Sequence, residues 1–280
     1  MKYTKGLAES KSVVRKFLIV TTLMIGLVLV YAMLIEPNWI EIKEQPVFIS
    51  NLPDSFEGFR IVQLSDLHGK SFPRQEIAHK IKKLKPDILA ITGDIFDQSE
   101  DIPLQYTAMV LDGLTAKYGA YFVFGNNEVY LDEQKIIDEL ARIKIKTLIN
   151  ENVRLTLGGD SIDIVGVADP YTQDWDLLKA LEGTGPEPKI LLAHTPEIIY
   201  EAFKAGIDLT LVGHTHGGQI FIPFAPKLTA NVSKGYEQFR SGLHKVGGSQ
   251  MYVNRGLGEN GIKMRFLSRP EITLITLYGK

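Results

Sequence analysis

The chain has 280 residues, 45% of them hydrophobic and 23% charged, with a formal net charge of −2. This much apolar content excludes a disordered chain and suffices for the core of one large domain, and the charge balance lacks the basic footprint of a nucleic-acid binder. Cysteine is absent, which excludes disulfides and thiolate metal sites, so any metal must be held by histidine, carboxylate, amide or water.

The first element is FLIVTTLMIGLVLVYAMLI, residues 17–35, which runs without a charge. As a helix it spans roughly 28 Å, the thickness of a bilayer core. Lys2, Lys5, Lys11, Arg15 and Lys16 precede it against Glu9 alone, while Glu36, Glu41 and Glu44 follow it against Lys43. The positive-inside rule then predicts a cytoplasmic N-terminus over 1–16, a single-pass anchor in the cell membrane over 17–35, and all that follows on the outer side. No AxA-like cleavage site follows the run, which is also longer than a usual signal-peptide core, so the anchor is read as uncleaved. Residues 36–58 predict a linker, a strand around Ile40 to Ile49 and a turn at Pro53 and Gly58. The main folded domain is expected over 59–280.

Within that domain, short apolar runs each end in a polar cluster: FRIVQLSDLH, DILAITGDIFD, AYFVFGNNE, KILLAHTP and LTLVGHTHGG. Between them, helices are predicted over Arg74 to Lys85, Leu104 to Leu114, Asp132 to Ile143 and Pro196 to Ala205. Strands alternating with helices specify an α/β domain with largely buried strands. The part beyond Ile220, through QMYVNRGLG to EITLITL, reads as richer in strand.

Ligand sites of open α/β sheets gather at the carboxyl ends of the strands, where all five clusters fall. Asp66 and His68 are two apart, so in extended backbone they project to one side, and His214 and His216 repeat the spacing. Asp94, Asn126 and His194 complete seven oxygen and nitrogen donors, too many for one catalytic ion with an open position. Two ions sharing a carboxylate would use the set and suit phosphoryl transfer, because both the attacking and the leaving oxygen need charge compensation. Gly93, Gly125 and Gly213 each precede a candidate donor, consistent with sharp turns, and Gly217 and Gly218 leave room for substrate. A lone DxH pair or a lone buried histidine is more often structural; the weight rests on five clusters in one positional pattern. His79 reads as a solvated helix residue, and His244 as a lesser candidate for touching substrate.

DLH at 66–68, GDIFD at 93–97, GNNE at 125–128, AH at 193–194 and GHTH at 213–216 together resemble the calcineurin-like metallophosphoesterase superfamily, particularly its membrane-anchored bacterial phosphohydrolases. HGGQIFIP, NRGLG and RPEITLITL extend the resemblance from about Ile40 to the C-terminus. It implies a four-layer αββα sandwich behind one N-terminal transmembrane helix. It also implies two divalent ions (manganese, iron, zinc or cobalt), one on Asp66, His68, Asp94 and His216, the other on Asp94, Asn126, His194 and His214. Where the family pattern reads GNH this chain has GNN, so Asn127 stands in place of a histidine that contacts the phosphoryl group and protonates the leaving oxygen; Asp97 corresponds to the carboxylate that orients it. The expected function is hydrolysis of phosphomonoesters, phosphodiesters or pyrophosphates on a small-molecule or lipid substrate, with the bilayer as partner and no nucleic acid. The alternative is a weakly active or inactive metal-binding surface module that recognises phosphorylated ligands. Phosphate contacts are expected from the 228–245 loop, with Lys234 and Arg240 as candidates.

Overall fold

The computed structural model describes residues 2–70, 74–97, 104–171, 174–222 and 231–280. The aliphatic runs form central strands that are apolar on both faces because each face borders a different core. In β2 (Arg60–Leu64), Ile61 and Val62 are both buried, yet Ile61 faces a second sheet and Val62 faces helices. Leu191 and Leu192 of β8 (Lys189–Leu192) divide in the same way. Side chains alternate across a strand, so a continuous apolar run is what a doubly covered strand requires.

The first sheet contains β1 (Glu41–Ile49), β12 (Glu271–Gly279), β2, β3 (Ile88–Thr92), β4 (Ala120–Val123) and β5 (Ile145–Thr147), in that order. β2 to β5 run parallel, and β12 is antiparallel to β2. The second sheet has β10 (Gly242–Val246), β11 (Ser249–Val253), β9 (Leu209–Val212), β8, β7 (Asp160–Gly166) and β6 (Glu151–Leu157). Here β11, β9, β8 and β7 are parallel, with antiparallel hairpin partners at both edges.

Helices α2 (Arg74–Leu84), α3 (Leu104–Leu111) and α4 (Glu133–Arg142) cover the first sheet, burying Ile77, Ile81, Leu111 and Ile136 against Val62, Leu89 and Phe122. Asp132 caps α4 by accepting the Lys135 N–H at 3.1 Å. α5 (Leu177–Ala180) and α6 (Ile199–Lys204) cover the second sheet, with Ile199 and Ala202 against Val165 and Val212. Between the sheets lies a third core that includes Ile61, Ala90, Val123, Ile164 and Leu211. The result is the four-layer αββα sandwich. The hairpin of β6 and β7, which the sequence did not single out, alternates half-buried and exposed residues along β6 and turns at Gly158 and Gly159.

The N-terminal helix α1 (Lys2–Val30) continues through a wider turn at Tyr31–Ile35 and a tight one at Glu36–Asn38. From Ser12 to Asn38 it is long and apolar enough to cross a membrane, and only 6% of its most apolar window is buried by the rest of the protein. Its final turns are fastened to the domain. The buried Glu36 carboxylate accepts the N–H groups of Leu267 (2.9 Å) and Ser268 (2.6 Å), and the Arg265 N–H donates to the Ala32 carbonyl at 2.8 Å. β1 follows directly and pairs with β12 along nine residues.

Candidate metal centre

β2, β3, β4, β8 and β9 all point their carboxyl ends at one edge of the sandwich, and the polar clusters follow there within a few residues. Asp66 and His68 come after Leu64, Asp94 after Thr92, Asn126 after Val123, His194 after Leu192, and His214 and His216 after Val212. Asp66, His68 and His216 form one group of ligand-type atoms mutually within 4.8 Å, and Asp94, His194 and His214 form another. In the first, His68 Nε2 lies 2.9 Å from His216 Nε2, and Asp66 Oδ1 lies 3.5 Å from His216 Nε2. In the second, His194 Nε2 lies 3.3 Å from Asp94 Oδ2, 3.1 Å from Asn126 Oδ1 and 3.2 Å from His214 Nδ1. The two groups adjoin, because Asp94 Oδ2 is also 3.8 Å from His68 Nε2. Asn126 and His214 are half-buried; the other five donors are buried.

Hydrogen bonds and buried charge define what these rings offer. His194 Nδ1 donates to the Thr92 carbonyl at 2.8 Å, which turns Nε2 into the cluster. Burial alone would lower the pKa of His194, but Asp94, with Asp66 and Asp169 behind it, raises it well above the ordinary histidine value. Burial would likewise raise Asp94, yet the His194 charge and hydrogen bond hold it below the usual carboxylate range. Asp66 is pushed up by burial. His214 is brought down to about 4 by burial and by the charge on His194. Burial, His68 and the fully buried Arg265 press His216 well below its ordinary value. His214 and His216 are therefore neutral near pH 7. Nitrogens facing each other at 2.9 Å in a buried cluster repel unless a proton or a cation lies between them. Together with an all-nitrogen-and-oxygen donor set, this fits a divalent transition metal.

The backbone at these positions is left-handed rather than the extended conformation expected for Asp66 with His68 and for His214 with His216. Turn geometry and not strand alternation therefore aims the donors, and the backbone is strained. Among the described residues ten non-glycine positions have positive φ, and five of them are Asp66 (52°), His68 (49°), Asp94 (52°), His214 (68°) and His216 (51°). Such left-handed residues cost about 1–3 kcal/mol each and persist where the surroundings over-determine them. Glycine at 93 relieves one further crowding point: its φ is +81°, and a Cβ there would lie 2.6 Å from His194 Nδ1. One prediction follows for metal-free protein. His68→Gly should be more stable than His68→Ala by about 1 kcal/mol, since glycine adopts φ near +50° freely and alanine does not. Urea denaturation of both variants measures the difference.

A buried carboxylate organises the same loops. Glu128 accepts N–H bonds from Gly125 (2.7 Å), Asp94 (2.9 Å), Ile95 (2.8 Å) and Phe96 (3.1 Å), tying the loop after β4 to the loop after β3. Burial and the nearby Asp94 charge push Glu128 up to about 7. In Glu128→Gln an NH2 group would face two of these N–H donors. Leaving two buried donors unpaired should cost at least ~2 kcal/mol in denaturant midpoint analysis and weaken metal uptake through Asp94.

Asn127 is buried; its side-chain amide lies 2.7 Å from His68 Nδ1, and its backbone N–H donates to Asp94 Oδ1 at 2.8 Å. Asp97 is half-buried in the loop after β3. His79 is exposed on α2, and His244 bonds the Ser241 carbonyl at 3.0 Å and meets the Phe239 ring edge-on, outside both donor groups. Of residues 228–245, expected as a loop, 231–245 are described, and 242–245 belong to β10 instead; before it Lys234 is exposed, and the Arg240 guanidinium lies 4.0 Å over the Phe221 ring. Sequence reasoning did not single out Arg265. Its guanidinium donates to carbonyls of Arg255, Gly256, Gly258 and Ser268 and lies 3.3 Å from His216 Nδ1. No local pattern announces it, since its partners come from loop carbonyls and from another strand's end.

The model of the family "Calcineurin-like phosphoesterase" matches residues 59–218. A Bacillus subtilis (strain 168) protein named "Uncharacterized metallophosphoesterase YkuE" is 33% identical over 88% of this chain and 88% of its own length. A Bos taurus "Transmembrane protein with metallophosphoesterase domain" is 36% identical over 86% of this chain, which spans 57% of that longer protein. Among solved structures, Haemophilus influenzae NAD nucleotidase superposes with a TM-score of 0.51 at 18% identity, covering 71% of this chain and 45% of that one, a likeness of fold alone. The match to the family extends over more than half of the sequence and ends within the GHTHGG turn, so this chain belongs to the calcineurin-like phosphoesterases and is a metal-dependent phosphohydrolase.

Proposed function

We propose that the seven donors hold two divalent ions: one on Asp66, His68, Asp94 and His216, the other on Asp94, Asn126, His194 and His214. The observation that supports this most is Asp94 Oδ2, which lies 3.8 Å from His68 Nε2 and 3.3 Å from His194 Nε2 and so faces both groups. The donor chemistry admits manganese, iron, zinc or cobalt. When bound, such ions supply Lewis-acid polarisation of a phosphoryl oxygen and charge for in-line displacement. The protein's part is to hold His214 and His216 neutral, to orient His194 through Thr92, and to keep Asp94 ionised between the two groups.

The reaction in this reading is hydrolysis of a phosphomonoester, phosphodiester or pyrophosphate, carried by a small molecule or a lipid. Residues 17–35 serve as a single-pass anchor in the cell membrane, with 1–16 in the cytoplasm and the catalytic domain of 59–280 outside, joined through 36–58. The exposed apolar surface of α1 supports the anchor, and the basic flank before Phe17 supports the orientation. Asp94→Asn should abolish hydrolysis and lower metal content at both sites, whereas His216→Ala should chiefly lower the content shared with Asp66 and His68. Metal analysis beside turnover of a phosphate ester, with manganese or zinc and with chelator, tests the assignment; two metals per chain with near-native turnover in Asp94→Asn would refute it.

Asn127 carries the remaining part of the reading. Its amide donates hydrogen bonds but cannot deliver a proton at neutral pH, and a positioned general acid contributes about 10²- to 10⁴-fold. Asn127→His, with Asp97 available to orient the ring, should raise kcat/KM for an alkyl phosphate ester much more than for a nitrophenyl ester, whose anion leaves unaided. Equal changes with both esters would assign Asn127 to substrate or ligand positioning instead.

A further inference from the structure

The loop Gly261–Leu267 joins the end of the anchor to the metal centre, and among the described residues its Ile262, Lys263 and Leu267 side chains are left exposed. The Arg265 N–H bonds the carbonyl of Ala32, a residue inside the uncharged run 17–35, and the Phe266 ring meets the Tyr31 ring edge-on at 6.4 Å. Leu267 bonds Glu36 through its backbone. These contacts hold the loop at the depth of the last apolar turns of α1. At that depth Leu267 is 52% exposed, and further along the same loop Ile262 is 64% exposed. Leu267 also has φ of 55°, a left-handed conformation that a bulky residue adopts only under constraint. Beside them stand an exposed Trp39, an exposed Lys263, and Arg269 stacked 4.1 Å over the Trp39 ring. Aromatic and basic residues ringing an apolar surface are the composition of a membrane interface.

We propose that Gly261–Leu267 is a second membrane-contacting element, a lip lying in the interfacial layer of the bilayer beside the anchor. The inference rests on the reading of residues 17–35 as a membrane anchor. The lip is held rigidly: Gln219 donates to the carbonyls of Asn260 (3.1 Å) and Ile262 (2.8 Å) and accepts the Asn260 N–H at 2.9 Å. Gln219 belongs to the turn that carries His216. Ile262 also walls a groove of about 290 Å³ shared with His216, Gln219 and Ile220. One segment thereby touches the bilayer on its outer side and the groove beside His216 on its inner side, so the groove opens at the lipid surface, where it meets phosphates carried on amphiphiles.

The absence of native cysteine allows a direct test in full-length protein reconstituted into vesicles. Ile262→Cys and Leu267→Cys, labelled with an environment-sensitive fluorophore, are compared with Ile25→Cys inside the anchor and Leu178→Cys, an exposed site on α5 beside the opposite edge of the second sheet. Lipids with nitroxides near the headgroup should quench the labels at 262 and 267 several-fold more than the label at 178, while deep nitroxides quench the label at 25. Quenching at 25 with 262 and 267 behaving like 178 would overturn the lip and leave the anchor standing. Blue-shifted emission at 262 and 267 without nitroxide quenching would mean a protein cover, such as a second copy of the chain, and would overturn it equally. No quenching at 25 would overturn the anchor and the lip together.

Discussion

The metal centre depends on one buried carboxylate that is not itself among the donors. Glu128 accepts four backbone N–H bonds from the loops after β3 and β4. Loops that leave a sheet edge carry orphan N–H groups, and here a single side chain satisfies them while clamping Asp94 and Asn126 to a common frame. Asp94 can then face donors from both sheets. The Asn127 N–H bond to Asp94 Oδ1 is a further link between the same two loops.

The clamp works against strain and charge. Five donors hold left-handed backbone, and the histidines at 214 and 216 are driven toward their neutral form by burial. The His194–Asp94 pair offsets some of this cost, and the cores on either side supply the rest. They do so through doubly buried strands, in which every residue of β3, β4 and β9 is buried. A rigid sandwich carrying a costly edge is the arrangement expected where preorganised ligands matter more than local stability.

The end of the N-terminal helix belongs to this mechanical system as well. Glu36 and Ala32 bond the loop that carries Arg265, and Arg265 in turn reaches four loop carbonyls and the His216 ring. A buried guanidinium is tolerated only when its donors are satisfied. The carbonyls do this, and the charge disfavours protonation of His216. The end of α1 is thus structurally continuous with the site, and β1 continues the attachment by pairing with β12.

Much of this was decided by the sequence alone. The apolar runs before Asp66, Asp94, Asn126, His194 and His214 determined buried strands with donors at their carboxyl ends, because periodicity and side-chain type are local properties. Residues 17–35 determined a membrane-length helix for the same reason, and four helices were legible to within a few residues. The strands at 145–166 were not, since β6 mixes half-buried and exposed positions and its pattern depends on which face the second sheet covers. Tertiary structure alone decided which donors adjoin: His216 reaches Asp66 and His68 because β9 and β2, in different sheets, end at the same edge. It alone decided the parts of Glu128 and Arg265, whose partners are backbone groups of other loops. It also decided that Phe266 and Leu267 stand beside the end of α1. Those relations are set by how two sheets stack and how distant loops satisfy one another's hydrogen bonds, and no local pattern in the chain encodes that.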